Sequence, residues 1–302
     1  MLAEVAKQQG LSLCGIQRDQ TTADLSGHAL QPPDAILLAS DLTQAVVTGG
    51  LTKLSLAENE LGEEGTKAIC EALEQDKTLE ELDISNIGVT AVAKHVAKIL
   101  GVNGALTVTN LLGNRLDLKS AKLLAEVAKQ KGISLCGIQR DQTTADFRYK
   151  RLEPPDAILL ASDLSQAVVT GALTVTNLLG NQLDAESAKM LAEVAKQKGI
   201  SLCGIQRDQT TADFSKQTLK PPDAILLASD LSQAVVTGAL TKLSLASNYL
   251  KEEGTKAICE ALKQNKTLKE LDLSGYDNIG RAAGAKHVAD MLGVNGALTK
   301  IE

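Results

Sequence analysis

Histidine is the side chain best suited to general-base catalysis near neutral pH, and only His28, His95 and His287 occur in this sequence. His95 and His287 lie at matching places in two Ala-Lys-His-Val-Ala segments. Metal binding or base catalysis needs converging partners, and no His–His or His–Cys pair at i, i+4 spacing is present. We therefore expect structural roles for the histidines, with His95 and His287 on helix surfaces.

The five cysteines also follow a repeated pattern. Cys14, Cys136 and Cys203 occupy one matching position, and Cys70 and Cys259 occupy another. No C-x-x-C spacing occurs, and a free cysteine commonly behaves as a small buried hydrophobic residue. We expect core thiols, and an odd, sparse cysteine count fits a reducing, cytoplasmic location better than a disulfide framework.

One glycine-rich segment superficially resembles a phosphate-binding loop. It runs from Gly275 to Gly280, but the Lys-Ser/Thr pair that would hold a nucleotide and its metal is missing. No Ser/His/Asp or paired-carboxylate arrangement remains once repeated positions are discounted. The sequence therefore predicts a protein that is not an enzyme and needs no cofactor or metal.

Composition narrows the classes of partner. The 302 residues include 31 basic and 37 acidic side chains, for a net charge of −6, and 44% of them are hydrophobic. These values predict a folded protein and argue against a nucleic-acid partner, as do the five aromatic residues. Apolar stretches such as 157–161 are soon interrupted by Asp, and the first residues lack a basic signal region, so we expect neither a membrane span nor a signal peptide.

The sequence consists of internal repeats. Residues 104–170 recur as 171–237 with nine mismatches, and residues 49–78 recur as 238–267. Within these blocks lies a shorter motif, L-x-x-L-x-L-x-x-N-x-L, followed by a helical run. Counted from the first Leu or Ile of the motif, repeats start at 11, 51, 79, 106, 133, 173, 200, 240 and 268, with partial repeats at 1–10 and 298–302.

Each repeat predicts a strand, a turn, a helix and a return loop. The fourth and sixth motif residues share one face of a strand, and the Asn can bond the backbone where the chain turns away. In 255–262, Ala257, Ile258, Ala261 and Leu262 share one helical face. A single repeat cannot bury its apolar side, so neighbouring repeats must stack.

Three repeats are 40 residues long. Their extra residues, such as 209–220, read as a loop, and Pro222 to about Val235 reads as the helix that follows. Both ends of the sequence fall within a repeat, and no polar cap is recognisable. This pattern fits either an excised part of a longer array or ends covered by another chain, and the near-verbatim copies fit recent duplication or laboratory assembly.

The motif, the 27- to 28-residue spacing and the G-x-x-x-[IL]-x-x-[AV]-L helices resemble leucine-rich repeats of the ribonuclease-inhibitor-like class. That class also includes repeats of Ran GTPase-activating proteins and NACHT-type receptors. The resemblance implies an α/β fold: one right-handed, curved solenoid over residues 1–302, with parallel strands on the concave face and helices on the convex face. It further implies a repeat protein that serves as a scaffold for protein binding.

The concave face is the predicted binding site. Its middle column should contain the third residue of each motif, including an apolar stripe made of Val108, Leu135, Val175 and Leu202. Charged residues should bracket the stripe, namely Lys53, Glu81, Lys242 and Glu270, with Arg140 and Arg207 at the strand ends. An apolar stripe with a polar rim is typical of a protein-binding surface. The loop edge, which holds Tyr149, Tyr249, Tyr276 and Phe147, is the alternative location.

Three functions remain open at this point. The leading one is a non-enzymatic scaffold that binds a protein of unknown identity through the concave face or the loop edge. The second is self-assembly, with uncapped ends stacking into a homo-oligomer. The third is regulation of a small GTPase, for which Arg18, Arg140 and Arg207 are the candidate residues, although their repetition favours a structural role.

Overall fold

The computed structural model describes residues 2–88 and 93–302, so Met1, at the head of the first predicted partial repeat, lies outside the described residues. Short strands alternate with helices along the chain. The strands are β1 (Thr22–Asp24), β2 (Lys53–Ser55), β3 (Glu81–Asp83), β4 (Val108–Asn110), β5 (Thr144–Asp146), β6 (Val175–Asn177), β7 (Thr211–Asp213), β8 (Lys242–Ser244), β9 (Glu270–Asp272) and β10 (Lys300–Ile301). The helices are α1 (Leu2–Gln9), α2 (Pro32–Leu42), α3 (Ala45–Thr48), α4 (Gly62–Leu73), α5 (Ala93–Val102), α6 (Leu118–Lys131), α7 (Pro154–Ser165), α8 (Ala167–Thr170), α9 (Ala185–Lys198), α10 (Pro221–Leu231), α11 (Ala234–Thr237), α12 (Lys251–Leu262) and α13 (Arg281–Leu292).

The contacts divide the chain into two compact units. Unit 1 comprises residues 1–140 and 158–170, and unit 2 comprises residues 141–157 and 171–302. In unit 1, parallel strands follow the order β1-β2-β3-β4. In unit 2, β5 pairs with β6, and β7 to β10 form a second parallel sheet in chain order. Each unit is therefore a stack of leucine-rich repeats, while the single solenoid over residues 1–302 stays a prediction.

The strands are short because only their central residue needs to reach the core. Leu54, Leu82, Leu243 and Leu271, each at the middle of a strand, are 2% exposed. Their neighbours on either side point to the opposite face, as strand geometry requires. The apolar face predicted for 255–262 is confirmed in α12, where Ile258 and Leu262 are fully buried.

The motif asparagine closes the turn after β2, β4, β6 and β8. The Asn59 amide nitrogen donates to the carbonyl oxygens of Leu25 at 2.8 Å and Leu56 at 2.9 Å, and its Oδ1 accepts from the Leu30 amide at 2.9 Å. Because these backbone groups are buried, leaving them without partners would be costly. The structure confirms the backbone-binding role that the motif predicts.

The structure corrects the interpretation of the long repeats. The stretch 209–220, predicted to be a loop, contains strand β7, and β1 and β5 occupy the matching places in the other long repeats. The segment Thr-Ala-Asp-Phe alternates in the way that a half-buried strand does, with Ala212 and Phe214 buried. Because the inward residue is alanine, the segment does not match a motif that requires leucine at that position.

The helix predicted from Pro222 to Val235 is divided in two. Helix α10 ends at Leu231, and α11 begins at Ala234 after Gln233 adopts an extended backbone. The break turns the chain toward β8.

The first eleven residues of each long repeat fold around a buried aspartate. The Asp163 carboxylate accepts hydrogen bonds from the Leu135 amide at 2.9 Å, from the Cys136 amide at 3.0 Å and from the Ser134 hydroxyl at 2.8 Å. Asp41 and Asp230 make the same contacts in the two other long repeats. In each long repeat, a carboxylate on the following helix therefore accepts the hydrogen bonds of backbone amides that would otherwise pair with a neighbouring strand.

Candidate functional site

The open strand face of unit 1 presents two rows of side chains. Register between the strands places Thr22, Lys53, Glu81 and Val108 in one row. Two residues further along each strand, the second row comprises Asp24, Ser55, Asp83 and Asn110. The sheet itself aligns these groups, so their spacing follows from the distance of roughly 4.8 Å between neighbouring strands.

The first row contains one pair of opposite charges. Lys53 Nζ lies 2.7 Å from Glu81 Oε1, and Gln139 Nε2 donates to Glu81 Oε2 at 3.0 Å. In the second row, Asn110 Nδ2 donates to Asp83 Oδ2 at 3.1 Å. These contacts hold polar groups on a rigid surface in defined orientations.

Unit 2 repeats the arrangement. Thr211, Lys242, Glu270 and Lys300 form its first row, and Lys242 Nζ lies 2.9 Å from Glu270 Oε1. Asp213, Ser244 and Asp272 continue as the second row. The predicted site residues Lys242 and Glu270 therefore do lie side by side on the strand face.

Hydrogen bonds favour the ionised form of Asp24 and Asp213, the first residues of the two second rows. The Ser26 hydroxyl and amide both donate to the Asp24 carboxylate and lower its pKa. The Ser215 amide does the same for Asp213. Bonds to the charged form stabilise it, so this face presents fixed negative charge beside its lysines.

The predicted apolar stripe is not exposed. Leu135 and Leu202 are fully buried, and Val108 and Val175 are 5% and 4% exposed. Leu135 and Leu202 face the core because their segments curl around Asp163 and Asp230 rather than continuing as strands. The first-row places in the long repeats belong instead to threonines, such as Thr22 and Thr211. The expectation of an apolar concave stripe was therefore wrong.

The repeated arginines contact helix ends. Arg207 Nη2 donates to the Gly199 carbonyl at 3.4 Å, and Arg18 Nη2 donates to the Gly10 carbonyl at 3.2 Å. A cation at a helix C-terminus favourably meets the negative end of the helix dipole. The side chain of Arg140, at the matching position, is exposed. The contacts of Arg18 and Arg207 support a structural role for these arginines.

The thiols are unsuited to nucleophilic chemistry. Burial raises the pKa of Cys70 to about 12 and that of Cys259 to about 11, and it also raises the pKa of Cys203 well above its ordinary value. All five cysteines lie in the described part of the chain, and none of them forms a disulfide. Within residues 2–88 and 93–302, no three His, Cys, Asp or Glu side chains converge as a metal site would require.

The rows of threonine and aspartate were missed from the sequence. The signal that could have found them is the segment Thr-Ala-Asp, present three times, in which a small residue stands at the inward position. A pattern search that accepts alanine at that position would have placed these strands. The paired Lys53 and Glu81, in contrast, follow directly from the motif.

Comparison with known proteins agrees with the repeat structure. A family model described as a leucine-rich repeat matches residues 51–70. The Bos taurus protein named "NACHT, LRR and PYD domains-containing protein 5" is 30% identical over 227 residues, which is 74% of this chain and 19% of that protein. Mus musculus ribonuclease inhibitor is 24% identical over 266 residues, which is 85% of this chain and 52% of the inhibitor.

A further human relative, "NACHT, LRR and PYD domains-containing protein 13", is 35% identical over 88 residues, covering 29% of this chain and 8% of that protein. This chain therefore spans less than a fifth of the NACHT-type relatives named here. Among solved structures, an internalin from Listeria monocytogenes aligns with 93% of this chain and 79% of its own at 14% identity. The TM-score of 0.34 is too low to support an argument.

Proposed function

We propose that this chain, a leucine-rich-repeat protein similar to ribonuclease inhibitor, is a non-enzymatic scaffold that binds a protein partner through its strand faces. The observation that carries the proposal is the row of paired charges on each face, Lys53 with Glu81 and Lys242 with Glu270. The lysine side chains remain half exposed in these pairs. They can therefore contact a partner while the sheet keeps them in place.

Opposite charges held side by side on each strand face favour specificity. Ion pairs at an exposed surface stabilise a fold by only about 0–1 kcal/mol, so these pairs add little to stability. Complementary charges across an interface raise association rates and reject wrong partners. A protein partner with a complementary pair of charges would bind, and one with like charges opposite would be repelled.

The cellular location that we propose is the cytoplasm. The five cysteines, all within the described residues, form no disulfide, and this fits a reducing compartment. None of the helices in the described part of the chain combines the length and apolarity needed to cross a membrane.

Charge-swap variants test the proposal. Lys242→Glu with Glu270→Lys preserves the ion pair and reverses the charges that a partner meets, and Lys53→Glu with Glu81→Lys does so in unit 1. Proteins captured from an extract of the source organism by the original chain should be lost by the swapped chains. The matched control swaps the helix-surface pair Lys263 and Glu260, whose charged atoms lie 2.6 Å apart. Capture that survives both face swaps, or that is lost equally in the control, contradicts the proposal.

A further inference from the structure

The loops that follow the strands of unit 2 form an exposed surface that differs sharply from its counterpart in unit 1. We define the loop edge of unit 2 as residues 147–153, 214–220, 246–251 and 274–281. Its three tyrosines, Tyr149, Tyr249 and Tyr276, are 54%, 52% and 93% exposed. The matching loops of unit 1, 25–31, 57–62 and 85–88, contain no aromatic residue.

The loops of unit 1 and unit 2 also differ in charge. The loops of unit 1 contain two carboxylates, Glu58 and Glu60, and neither Lys nor Arg. Those of unit 2 carry these cations: Arg148, Lys150, Arg151, Lys216, Lys220, Lys251 and Arg281. Only Glu153 and Asp277 oppose them within these loops. The reverse difference occurs after β4, where unit 1 has Arg115 and unit 2 has Gln182. In the other matched loops, the difference runs from acidic or neutral to basic.

The sequence changes between near-identical repeats concentrate at this edge. Between residues 49–78 and 238–267, the changes at the turn after the strand are Glu58 to Ser247, Glu60 to Tyr249 and Gly62 to Lys251. Between residues 104–170 and 171–237, five of the nine mismatches lie at 148–151 and 153. Since strands and core are almost unchanged, these differences alter the surface and leave the repeat architecture as it is.

Three of the changed positions in unit 2 keep the left-handed backbone of the glycines that they replace. Gly62 has φ of 62°, and Lys251 at the matching place has φ of 56°. Gly27 has φ of 63°, whereas Tyr149 and Lys216 at matching places have φ of 55° and 57°. This left-handed region is comfortable for glycine and disfavoured for residues with a Cβ. Non-glycine residues also adopt this region in unit 1, at Ala29 and Glu58, so unit 2 differs in keeping the strained conformation where tyrosine or lysine replaces glycine.

Contacts hold several of these side chains in position. The Asp277 carboxylate bridges Lys251 Nζ at 2.7 Å and Arg281 Nε at 3.2 Å. Lys251 Nζ also lies 5.7 Å from the centre of the Tyr249 ring. The Tyr149 ring lies directly over Gly180, where any Cβ would collide with it. Aromatic and cationic groups held in this way lose little conformational freedom on binding.

We propose that the loop edge of unit 2 binds an acidic polypeptide segment that also carries apolar side chains. The proposal goes beyond the proposed function: it rests on this chain being a protein-binding scaffold and assigns a second surface, together with the chemistry of the partner that this surface binds. Tyrosine and arginine are the residue types enriched at the energetic centres of protein interfaces, and the cations select for Asp and Glu. A nucleic acid fits less well, since Asp277 and Asp146 already neutralise part of the edge and the chain carries a net charge of −6.

The binding test uses a fluorescein-labelled peptide rich in Glu with interspersed Leu and Phe, followed by fluorescence anisotropy. Its counterpart, with every Glu replaced by Lys, is the specificity control. We expect saturable binding of the acidic peptide, weakening as salt increases, and none of the basic peptide. Absence of binding, or preference for the basic peptide, overturns the proposal. Tighter binding of a labelled oligouridine or of phosphatidylserine vesicles overturns the assignment to a polypeptide.

Variants copied from unit 1 locate the site without threatening the fold. The triple change Ser247→Glu, Tyr249→Glu and Lys251→Gly installs the sequence of the loop after β2. It should lower the affinity for the acidic peptide at least roughly tenfold. Lys263→Glu is the matched control: it too copies unit 1, which has Glu74 there, but it lies at the end of α12. Equal affinity of the triple variant and the original chain overturns the proposal, as does an equal loss in the control.

Failure of the two proposals can be told apart. The strand-face swap of Lys242 and Glu270 should leave affinity for the acidic peptide unchanged, and the triple loop variant should lower that affinity at least roughly tenfold. Loss of the acidic peptide in the strand-face swap places its binding on the strand face and overturns the loop-edge assignment. The opposite outcome is also possible: the triple loop variant weakens peptide binding, and partner capture survives both face swaps. That result supports the loop edge of unit 2 and contradicts the strand faces as the binding surface.

Discussion

The buried carboxylate of Asp163 binds the backbone amide of Leu135 through both of its oxygens, at 2.9 and 3.0 Å. The contact bends the chain at the start of a long repeat and turns Leu135 into the core. The same aspartate therefore explains why this repeat begins without a strand and why its leucine is absent from the surface.

Replacing this aspartate should strongly destabilise unit 1. Asp163→Asn removes one acceptor oxygen and introduces donors that face the amides of Leu135 and Cys136 and the hydroxyl of Ser134. Buried donors left without acceptors cost about 1–3 kcal/mol each, so we expect a loss of about 2–4 kcal/mol. Urea unfolding followed by circular dichroism measures it. Asp208→Asn, at an exposed residue, is the control, and equal midpoints for the two variants would contradict this role.

Stability should fall as pH rises from about 4 toward 7. Burial raises the pKa of Asp163 to about 6 and that of Asp230 to about 7, above the ordinary value of 3.8. The folded state therefore binds more protons than the unfolded state in this window, and the advantage disappears as pH passes the folded pKa. Urea midpoints at a series of pH values test this. The double variant Asp163→Asn, Asp230→Asn should flatten the profile, and an unchanged slope would refute the assignment.

A close helix contact predicts a second stability effect. At Gly254 in α12, an added Cβ would lie 2.8 Å from Ala224 Cβ and 3.2 Å from Pro221 Cα in α10. Alanine is intrinsically the better helix former by about 1 kcal/mol, but overpacking typically costs about 1–3 kcal/mol. We expect Gly254→Ala to lower the thermal midpoint. Gly296→Ala, where nothing lies within 4 Å, should have little effect, and a midpoint raised by Gly254→Ala would show that the helices separate freely.

Thiol accessibility should distinguish Cys14 from its repeat counterparts. Cys14 is partly exposed, whereas Cys136 and Cys203 are buried. Burial, then the charge of Asp41, raises the pKa of Cys14 to about 12, so its reaction should be slow at neutral pH and faster in alkali. In a reaction with a chromogenic disulfide, one thiol should react faster than the other four. The Cys14→Ser variant should lack this fast phase. Five thiols reacting at one rate would contradict the burial described.

The two leucine positions of the motif show what a pattern can and cannot predict. Leu54 and Leu56 are buried as the motif requires, because a strand alternates its side chains. Leu135 stands at the place where the same rule predicts an outward side chain, yet it is buried. The rule failed because its premise, an extended backbone, does not hold where Asp163 binds two successive amides.

The sequence by itself determined the repeat, the alternation of strands and helices, and the matching positions of Lys53 and Glu81 in neighbouring repeats. These features depend on local periodicity and on a constant spacing between copies. Only the tertiary structure decided that Thr22 and its counterparts form the strands of the long repeats, that Leu135 and Leu202 are buried, and that Tyr249 and Lys251 share an edge with Asp277. Each of these depends on contacts between residues far apart in the chain, where a buried carboxylate or a neighbouring loop overrides the local pattern.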